Sequence, residues 1–539
     1  MIGTPAAPSS ALPAATAGET VFAGEDLSGR HRITRNVVTS WASHAVVIAS
    51  GFLIPRMISD GLGQATLGVW DFCWSLVAYF GLVQGSVVSS INRYVALHRA
   101  TGDQVGVNRA VSSVTCVLLV MAGTVTLLSA VTVAVMPAWW GPRLGPHVGD
   151  AQWVVLLLGL ALAFQIACAG YGGVVTGCHR WDVHNALYAG VCLVVGVLMI
   201  AVILLGGGLP ALAGVYLGGE AVGRWFWRVA AYRVCPGLRV RPRLASWTTA
   251  RQMLGFGAKT FVPSLGQLLL NQTVSLLIVG YLGPAVLAVY SRPLTLVRHI
   301  STLVAKFAFV VTPTASSLQA AGNSAEVRRF AVAAARFGSL MALPMLLSLA
   351  LLGGPVLRLW MGPAYALDQL ALILALGHLV TTAQQPLLCV LCGLNAHGRP
   401  GLANFCASLG SVGLVFASLH VSRPGVEIIA LSVVLPITAV NLVYLPLHTG
   451  RMLGLSVREY LRNVWIEPVL YCLPFTACLI LARGLMLRSA LATMAVGMFT
   501  GTIALAVVYW HFAVPARLKA AVLARVGWTP PVGRVDCSV

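Results

Sequence analysis

The chain has 539 residues, of which 58% are hydrophobic and only 9% are charged, and its mean hydropathy is +0.85. A soluble protein of this length needs far more surface charge, so the composition excludes a soluble fold and predicts an all-α polytopic membrane protein. The net charge of +20 does not require a nucleic-acid partner, because basic residues also mark the cytoplasmic loops of membrane proteins.

Apolar stretches predict about fourteen transmembrane helices between two polar tails. Residues 1–29 are small, Pro/Ala/Ser-rich and acidic, which predicts a disordered cytoplasmic tail rather than a signal peptide. We place the helices at 37–59, 65–91, 112–136, 151–176, 184–206, 209–231, 252–279, 285–313, 330–352, 367–393, 402–421, 425–449, 464–482 and 489–512. A second cytoplasmic tail is expected at 513–539.

An internal repeat organises these helices. The segment Ile58–Trp70 returns 220 positions later as Ile278–Tyr290, with six of the residues identical. A second similarity relates the segments that begin at Gly177 and Gly393, at an offset of 216. Repeats of this kind in membrane proteins usually enclose a substrate path.

The repeat predicts two parallel six-helix bundles, because an even number of helices brings both copies into the membrane from the same side. The predicted units are the bundle 30–232, a basic cytoplasmic linker 233–251, the bundle 252–450, and the two further helices within 451–512.

The distribution of basic residues predicts the orientation. With the N-terminus in the cytoplasm, 23 of the 35 Lys and Arg residues fall in cytoplasmic segments and five in outer loops. This ratio satisfies the positive-inside rule, and both termini are then cytoplasmic.

Ionisable residues inside a bilayer are costly, so each one is a functional candidate. We take seven basic residues as intramembrane, namely Arg56, Arg224, Lys259, Arg292, Arg298, Lys306 and Arg336. Against them we set only three carboxylates, at Asp71, Glu220 and Glu467, the last near a helix end. The excess of positive charge favours an anionic substrate.

The predicted helix 285–313 carries the clearest pattern. Arg292, His299 and Lys306 are seven residues apart, which places them within about 40° of one face. Over about 21 Å of helix, such a stripe must line water or contact an anion. Arg298 lies beside it, and we take all four residues as candidate substrate ligands.

A second polar stripe runs along the predicted helix 252–279. Lys259, Gln267 and Asn271 lie at multiples of four, and Pro263 on the same line could kink the helix. The two stripes together are expected to form a cationic and amide-rich wall in the second half.

Four further charged residues could form structural ion pairs instead of contacting substrate. Glu220 and Arg224 are four residues apart on one helix, which favours an internal salt bridge. Arg56 and Asp71 could pair across the first helical hairpin. These four residues are therefore candidates for structural or gating pairs.

Signatures of enzymes and metal centres are missing from the sequence. There is no Walker A motif, no His-Glu-x-x-His motif and no pair of acidic residues in an outer loop. Histidines are scattered singly, and Cys389 and Cys392 lie among apolar neighbours, which favours packing over metal binding. We expect neither catalysis nor a cofactor nor a bound metal.

Several short motifs follow one another in the first half of the chain. They are Leu53-Ile-Pro-Arg-Met57, Leu62-Gly63, Leu67-Gly-Val-Trp70, Tyr79-Phe-Gly-Leu82, Arg93-Tyr94 and Gly102-Asp103. These motifs resemble the opening of Wzx-type oligosaccharide flippases, which belong to the multidrug/oligosaccharidyl-lipid/polysaccharide exporter superfamily. In the second half Leu282-Gly283-Pro284, Tyr290-Ser291 and the region of Pro313 are similar to the same family's repeat. The resemblance covers roughly residues 30–450.

The resemblance implies export of an undecaprenyl-pyrophosphate-linked oligosaccharide across the plasma membrane by alternating access, for polysaccharide biosynthesis. The implied partners are this anionic lipid-linked glycan, membrane lipids, glycosyltransferases and a polysaccharide polymerase. A drug or organic-cation antiporter and a lipid II flippase share the superfamily and remain alternatives. An antiporter for cations should show intramembrane carboxylates in its binding lobe, whereas this chain shows mostly Arg and Lys.

Overall fold

The computed structural model describes residues 33–83, 87–420, 425–485, 489–514 and 519–520. Within those ranges the chain is helical and contains no β-strand, as the sequence predicted. The tail 1–29, most of the tail 513–539 and the side chains of residues 256–264 lie outside the described residues.

The helices follow one another with short turns. They are α1 (Ile33–Leu62), α2 (Gln64–Phe80), α3 (Val88–Ala100), α4 (Gln104–Leu144), α5 (Val148–Gly177), α6 (Trp181–Leu204), α7 (Leu209–Val234), α8 (Trp247–Leu282), α9 (Pro284–Phe309), α10 (Val311–Ala320), α11 (Ser324–Met361), α12 (Asp368–Ala383), α13 (Gln385–Gly393), α14 (Gly398–Ser418), α15 (Val426–Ala439), α16 (Leu445–Leu453), α17 (Val457–Leu461), α18 (Glu467–Gly484) and α19 (Ala490–Val508). A π-helical segment, Val440–Tyr444, joins α15 to α16, and another, Arg462–Ile466, joins α17 to α18.

Every predicted span coincides with helix, although some spans are interrupted. The predicted helix 65–91 is broken after Phe80, and the predicted helix 367–393 is broken at Gln384, just before Pro386. Proline removes a backbone donor, and its ring disfavours helix in the preceding turn, which accounts for the second break.

Eleven segments of the described chain are long and apolar enough to cross a membrane. One of them, Gln104–Gly177, contains both α4 and α5. Neither α2, which has 17 residues, nor α7, which carries Glu220 and Arg224, belongs to these segments. The number fourteen therefore stays a prediction.

Residues matched by the repeat adopt matching backbone conformations. Gly63 and Gly283 precede α2 and α9 with φ of 95° and 90°, and both stand where only glycine is unstrained. Gly102 and Gly322 both have φ of 71°.

The residues that follow this second glycine pair cap the next helix in the same way. The Asp103 side chain accepts a hydrogen bond from the Gly106 amide, and the Asn323 side chain accepts one from the Glu326 amide. Such side-chain caps satisfy helix N-terminal amides and fix where the helix begins. Local geometry thus repeats along the chain, while the predicted arrangement of two six-helix bundles stays a prediction.

The two halves meet closely at the end of the molecule that carries Gly63 and Gly283, which we call the Gly63–Gly283 end. Here Ser59 Oγ lies 2.7 Å from the hydroxyl of Tyr365, and Gln64 Nε2 donates to the carbonyl of Ala285 at 3.1 Å. These polar contacts join α1 and α2 to the second half of the chain.

At the opposite, Gly102–Gly322 end, the linker between the halves is bound to α4. The Arg239 amide donates to Asn108 Oδ1 at 2.8 Å, and the Ser246 amide donates to Ser113 Oγ at 2.8 Å. These bonds satisfy linker amides with side chains of the first half and fix where α8 begins.

Gly68 on α2 sets how near α2 and α9 can approach. A Cβ atom at this position would lie 1.8 Å from the carbonyl oxygen of Pro284. The backbone of α9 therefore lies against α2 where no side chain fits. This requirement explains why the first copy of the repeat keeps glycine where the second has Ala288.

We expect Gly68→Ala to lower the melting temperature of the detergent-solubilised protein, because α2 and α9 must separate to admit the methyl group. Overpacking of this kind costs about 1–3 kcal/mol. The matched control is Gly123→Ala on α4, where a Cβ would meet no atom within 4 Å. It should be neutral or stabilise by up to about 1 kcal/mol. Equal melting temperatures for the two variants would contradict the close-approach argument.

Candidate functional site

A buried ion pair links the two halves. The Arg292 guanidinium on α9 binds the Asp71 carboxylate on α2, and their side chains are 4% and 18% exposed. A buried charge is stable only when it is paired, so this contact favours the packing of α2 against α9. The expected pair between Arg56 and Asp71 is therefore wrong.

Arg56 instead makes its contacts near the Gly63–Gly283 end. Its guanidinium binds Asp60, one helical turn along α1, and Nη1 donates to the Trp360 carbonyl at 2.7 Å. The Trp360 indole in turn donates to the Phe52 carbonyl at 2.7 Å. Asp60 was not counted among the intramembrane carboxylates, so the sequence suggested the wrong partner.

The expected pair between Glu220 and Arg224 is confirmed. The closest approach of guanidinium nitrogen to carboxylate oxygen is 2.5 Å. The pair lines a cavity of about 340 Å³ inside the first half, together with Trp74 and Tyr216. The Arg224 guanidinium also lies over the Trp227 ring, 4.3 Å from its centroid. Its positive charge is therefore stabilised by both the Glu220 carboxylate and the Trp227 ring.

The remaining members of the stripe on α9 have no acidic partner among the described residues. Arg298 and Lys306 are exposed, and His299 is half-buried. His299 stacks on Phe52 of α1, with ring centroids 5.8 Å apart, and its buried Nε2 makes no hydrogen bond within the described chain.

Lys306 lines a cavity of about 290 Å³ formed by α9, α1 and α6, which we call the inter-half cleft. The cleft also contains His44 and Asn185, whose buried Nε2 and Nδ2 atoms have no partner among the described atoms. One cation from the second half and two unpaired polar atoms from the first half therefore surround one space. Nitrogen donors that converge without a carboxylate favour an anion.

The amide stripe lies elsewhere. Gln267 and Asn271 line a cavity of about 860 Å³ inside the second half, and Gln267 Nε2 donates to Asn271 Oδ1 at 3.3 Å. The described lining of this space comes from α8 and from the region between α12 and the π-helical segment that follows α15, with nothing from α9. The amides and Lys306 of α9 thus line different cavities. Because Lys259 and Pro263 lie outside the described side chains, the expected common wall of cations and amides stays a prediction.

Sequence reasoning missed several polar groups of these cavities. His44 and Asn185 belong to the inter-half cleft. The missed carboxamides of the amide cavity are Gln272, Gln385, Asn404 and Asn441. A census of intramembrane amides and histidines as well as charges could have found them, because uncharged polar groups in a membrane also need partners.

Comparisons of sequence and fold relate the chain to known proteins. Residues 113–367 match the family model described as a polysaccharide biosynthesis protein. The Bacillus subtilis (strain 168) protein named uncharacterized membrane protein EpsK is 23% identical over 442 residues, which cover 78% of this chain and 83% of that protein. The resemblance seen in the sequence is confirmed.

Two solved structures share the fold. The lipid II flippase MurJ in its inward closed conformation has a TM-score of 0.64 and 12% identity, covering 89% of this chain and 99% of that one. An inward-facing multidrug resistance MATE family transporter of the MOP superfamily has a TM-score of 0.62 and 14% identity, covering 75% of this chain and 94% of that one. The chain is a multi-pass membrane protein with the fold of transporters and flippases.

We expect Arg292→Ala to lower the melting temperature of the purified protein more than Asp71→Asn combined with Arg292→Ala does. The single change leaves the Asp71 carboxylate buried and unpaired, at a cost of about 3–5 kcal/mol, whereas the double change removes both charges. Thermal unfolding of these two variants, of Asp71→Asn alone and of the unsubstituted protein measures the difference. Additive losses would show that the two side chains do not act as a pair.

Proposed function

We propose that the chain exports a lipid-linked oligosaccharide, carried on undecaprenyl pyrophosphate, from the cytoplasmic to the outer face of the plasma membrane. The observation that carries this proposal is the set of unpaired cationic groups near the contact between the halves. Arg298 and Lys306 have no carboxylate partner among the described residues, and His299 lies between them on α9. Their natural counter-charge is an anionic substrate.

A pyrophosphate headgroup suits such a site. It carries several negative charges and oxygen acceptors, which lysine and arginine bind through charge-assisted hydrogen bonds. The headgroup and its sugars need shelter from hydrocarbon, while the polyprenyl tail can stay in the lipid. The inter-half cleft provides the polar environment, and glycosyltransferases and a polymerase would make and consume the substrate.

Alternating access supplies the movement. The halves touch through Ser59 and Tyr365 at the Gly63–Gly283 end. The distribution of basic residues favours a cytoplasmic position for the opposite end. In that orientation the conformation would receive substrate from inside. Rocking of the halves would separate these outer contacts and release the glycan outside.

The membrane potential favours this direction of transport. When the inside of the membrane is negative, each negative charge that moves outward lowers the free energy by about 2.3 kcal/mol per 100 mV. A pyrophosphate-linked substrate can thus be exported without a carboxylate that couples transport to protons.

An antiporter for organic cations fits less well, because the carboxylates it would need are occupied. Asp71 binds Arg292, Glu220 binds Arg224, and Glu467 lies 3.0 Å from Arg336. The three intramembrane carboxylates identified in the sequence thus each have a basic partner.

A lipid II flippase shares the anionic substrate class, and the likeness to MurJ shows the fold alone. The two possible functions differ in which product the cell loses when the protein is depleted. Depletion of the protein should stop surface polysaccharide while cell-wall synthesis continues. Arrest of cell-wall synthesis would favour lipid II as the substrate instead.

We expect Lys306→Ala to reduce surface polysaccharide at least tenfold when it replaces the chromosomal copy, because the anion loses its unpaired ammonium partner. Lys306→Arg keeps the charge and should retain most export. Arg329→Ala is the matched control, since Arg329 is exposed on α11 outside the inter-half cleft. The readouts are surface glycan and the amount of protein in the membrane. Normal export by Lys306→Ala at the wild-type protein level would contradict the assignment of the inter-half cleft as the anion site.

A further inference from the structure

The amide cavity of the second half is separate from the cationic cleft and has its own chemistry. Its volume is about 860 Å³, within the range of small-molecule sites. Six carboxamides line it, at Gln267, Asn271, Gln272, Gln385, Asn404 and Asn441. No Asp, Glu, Lys or Arg is among its described lining residues.

We propose that this cavity binds the uncharged, hydroxyl-rich sugar residues of the transported glycan. The inference rests on the proposed function, since it assigns the sugar and the pyrophosphate of one substrate to two places. A carboxamide offers one acceptor oxygen and two donor hydrogens, and a sugar hydroxyl both donates and accepts. A lining of carboxamides without charges therefore matches a neutral polyol better than an ion.

A hydrogen-bonded chain of side chains orients the deepest group. Asn441 Nδ2 donates to Asn404 Oδ1 at 2.8 Å and to the Ile437 carbonyl at 2.9 Å. Asn404 Nδ2 donates to the Pro400 carbonyl at 3.1 Å. Both amide groups are held in one orientation by these bonds.

These bonds use the Asn441 amide nitrogen and leave its amide oxygen, Oδ1, without a hydrogen bond. The Asn441 residue is only 1% exposed, and this oxygen has no hydrogen-bond donor among the described atoms. An unsatisfied buried acceptor costs about 1–3 kcal/mol, so a site that maintains one is built for a donor that arrives with a ligand. A sugar hydroxyl is such a donor.

The backbone at this position is irregular as well. Asn441 lies in the π-helical segment Val440–Tyr444, which interrupts the helix between α15 and α16. Such segments are rare and occur frequently at functional sites, because the extra residue redirects a side chain. The sequence therefore keeps an unfavourable helical turn at the residue with the unpaired amide oxygen.

The cavity is open at its rim. Gln267 and Cys392 line it and are exposed, and His397 belongs to the turn between α13 and α14. If the basic residues place this turn in the cytoplasm, the cavity admits sugars from the side where lipid-linked glycans are assembled.

Cys392 provides a native reporter of occupancy. It is an exposed free thiol on the rim, whereas Cys406 on α14 is an exposed free thiol that does not line the cavity. We expect the neutral oligosaccharide repeat unit, released by hydrolysis from the cells' own surface polysaccharide, to slow maleimide labelling of Cys392. Labelling of Cys406 in the same purified full-length protein should not change. Peptide mass spectrometry follows both thiols at once.

Removal of one amide tests the assignment. Asn404→Leu and Gln272→Leu should each raise the oligosaccharide concentration for half-protection of Cys392 about tenfold, the effect of one lost polar contact. Gln272 makes no hydrogen bond to another described side chain, so its replacement keeps the observed network even if Asn404→Leu fails to fold. Lys306→Ala lies outside the cavity and should retain protection.

The outcomes separate the two proposals. Unchanged labelling of Cys392 with the oligosaccharide, equal protection in all variants, or protection by inorganic pyrophosphate instead would each overturn the sugar site. The proposed export is overturned separately if replacement of the gene by a null allele leaves surface polysaccharide intact. Protection of Cys392 combined with loss of export in Gln272→Leu is the result we expect.

Discussion

The requirement that charges in a membrane be paired controls the arrangement of this molecule. Asp71 and Arg292 come from helices in different halves of the chain, and each would be unstable in hydrocarbon without the other. Their contact therefore fixes how α2 and α9 pack. Gly68 permits this packing of α2 against α9, because it lets the α9 backbone approach where a side chain would not fit. Closure at the Gly63–Gly283 end follows from these two constraints.

The same requirement divides the intramembrane cations into two groups. Arg56, Arg224, Arg292 and Arg336 bind carboxylates in the described structure. Arg298 and Lys306 do not, although both belong to the same helix as Arg292. The basic residues of α9 look alike in the sequence, but they differ in the structure. Arg292 makes a structural ion pair, whereas Arg298 and Lys306 are exposed. Sequence spacing alone could not separate these functions, because the partner of Arg292 lies 221 positions away.

Local features were predictable because their causes are local. The turns at Gly63, Gly102, Gly283 and Gly322 follow from the positive φ that only glycine adopts without strain. The pair Glu220–Arg224 follows from helical spacing. The wrong expectation, a pair between Arg56 and Asp71, concerns a contact between different helices. Helical periodicity gives the direction of a side chain on its own helix, but which neighbour it meets depends on how the helices pack.

The two cavities differ in how a rocking motion would affect them. The inter-half cleft takes Lys306 from one half and His44 with Asn185 from the other, so relative movement of the halves must change its geometry. The amide cavity is built from α8 and later helices alone, so a rigid-body motion leaves its hydrogen-bonding groups in place. A substrate that spans both sites would keep its sugars bound while the environment of its pyrophosphate changes. Differential binding of that kind is what couples a ligand to a conformational equilibrium, and an anion contacted by both halves supplies it.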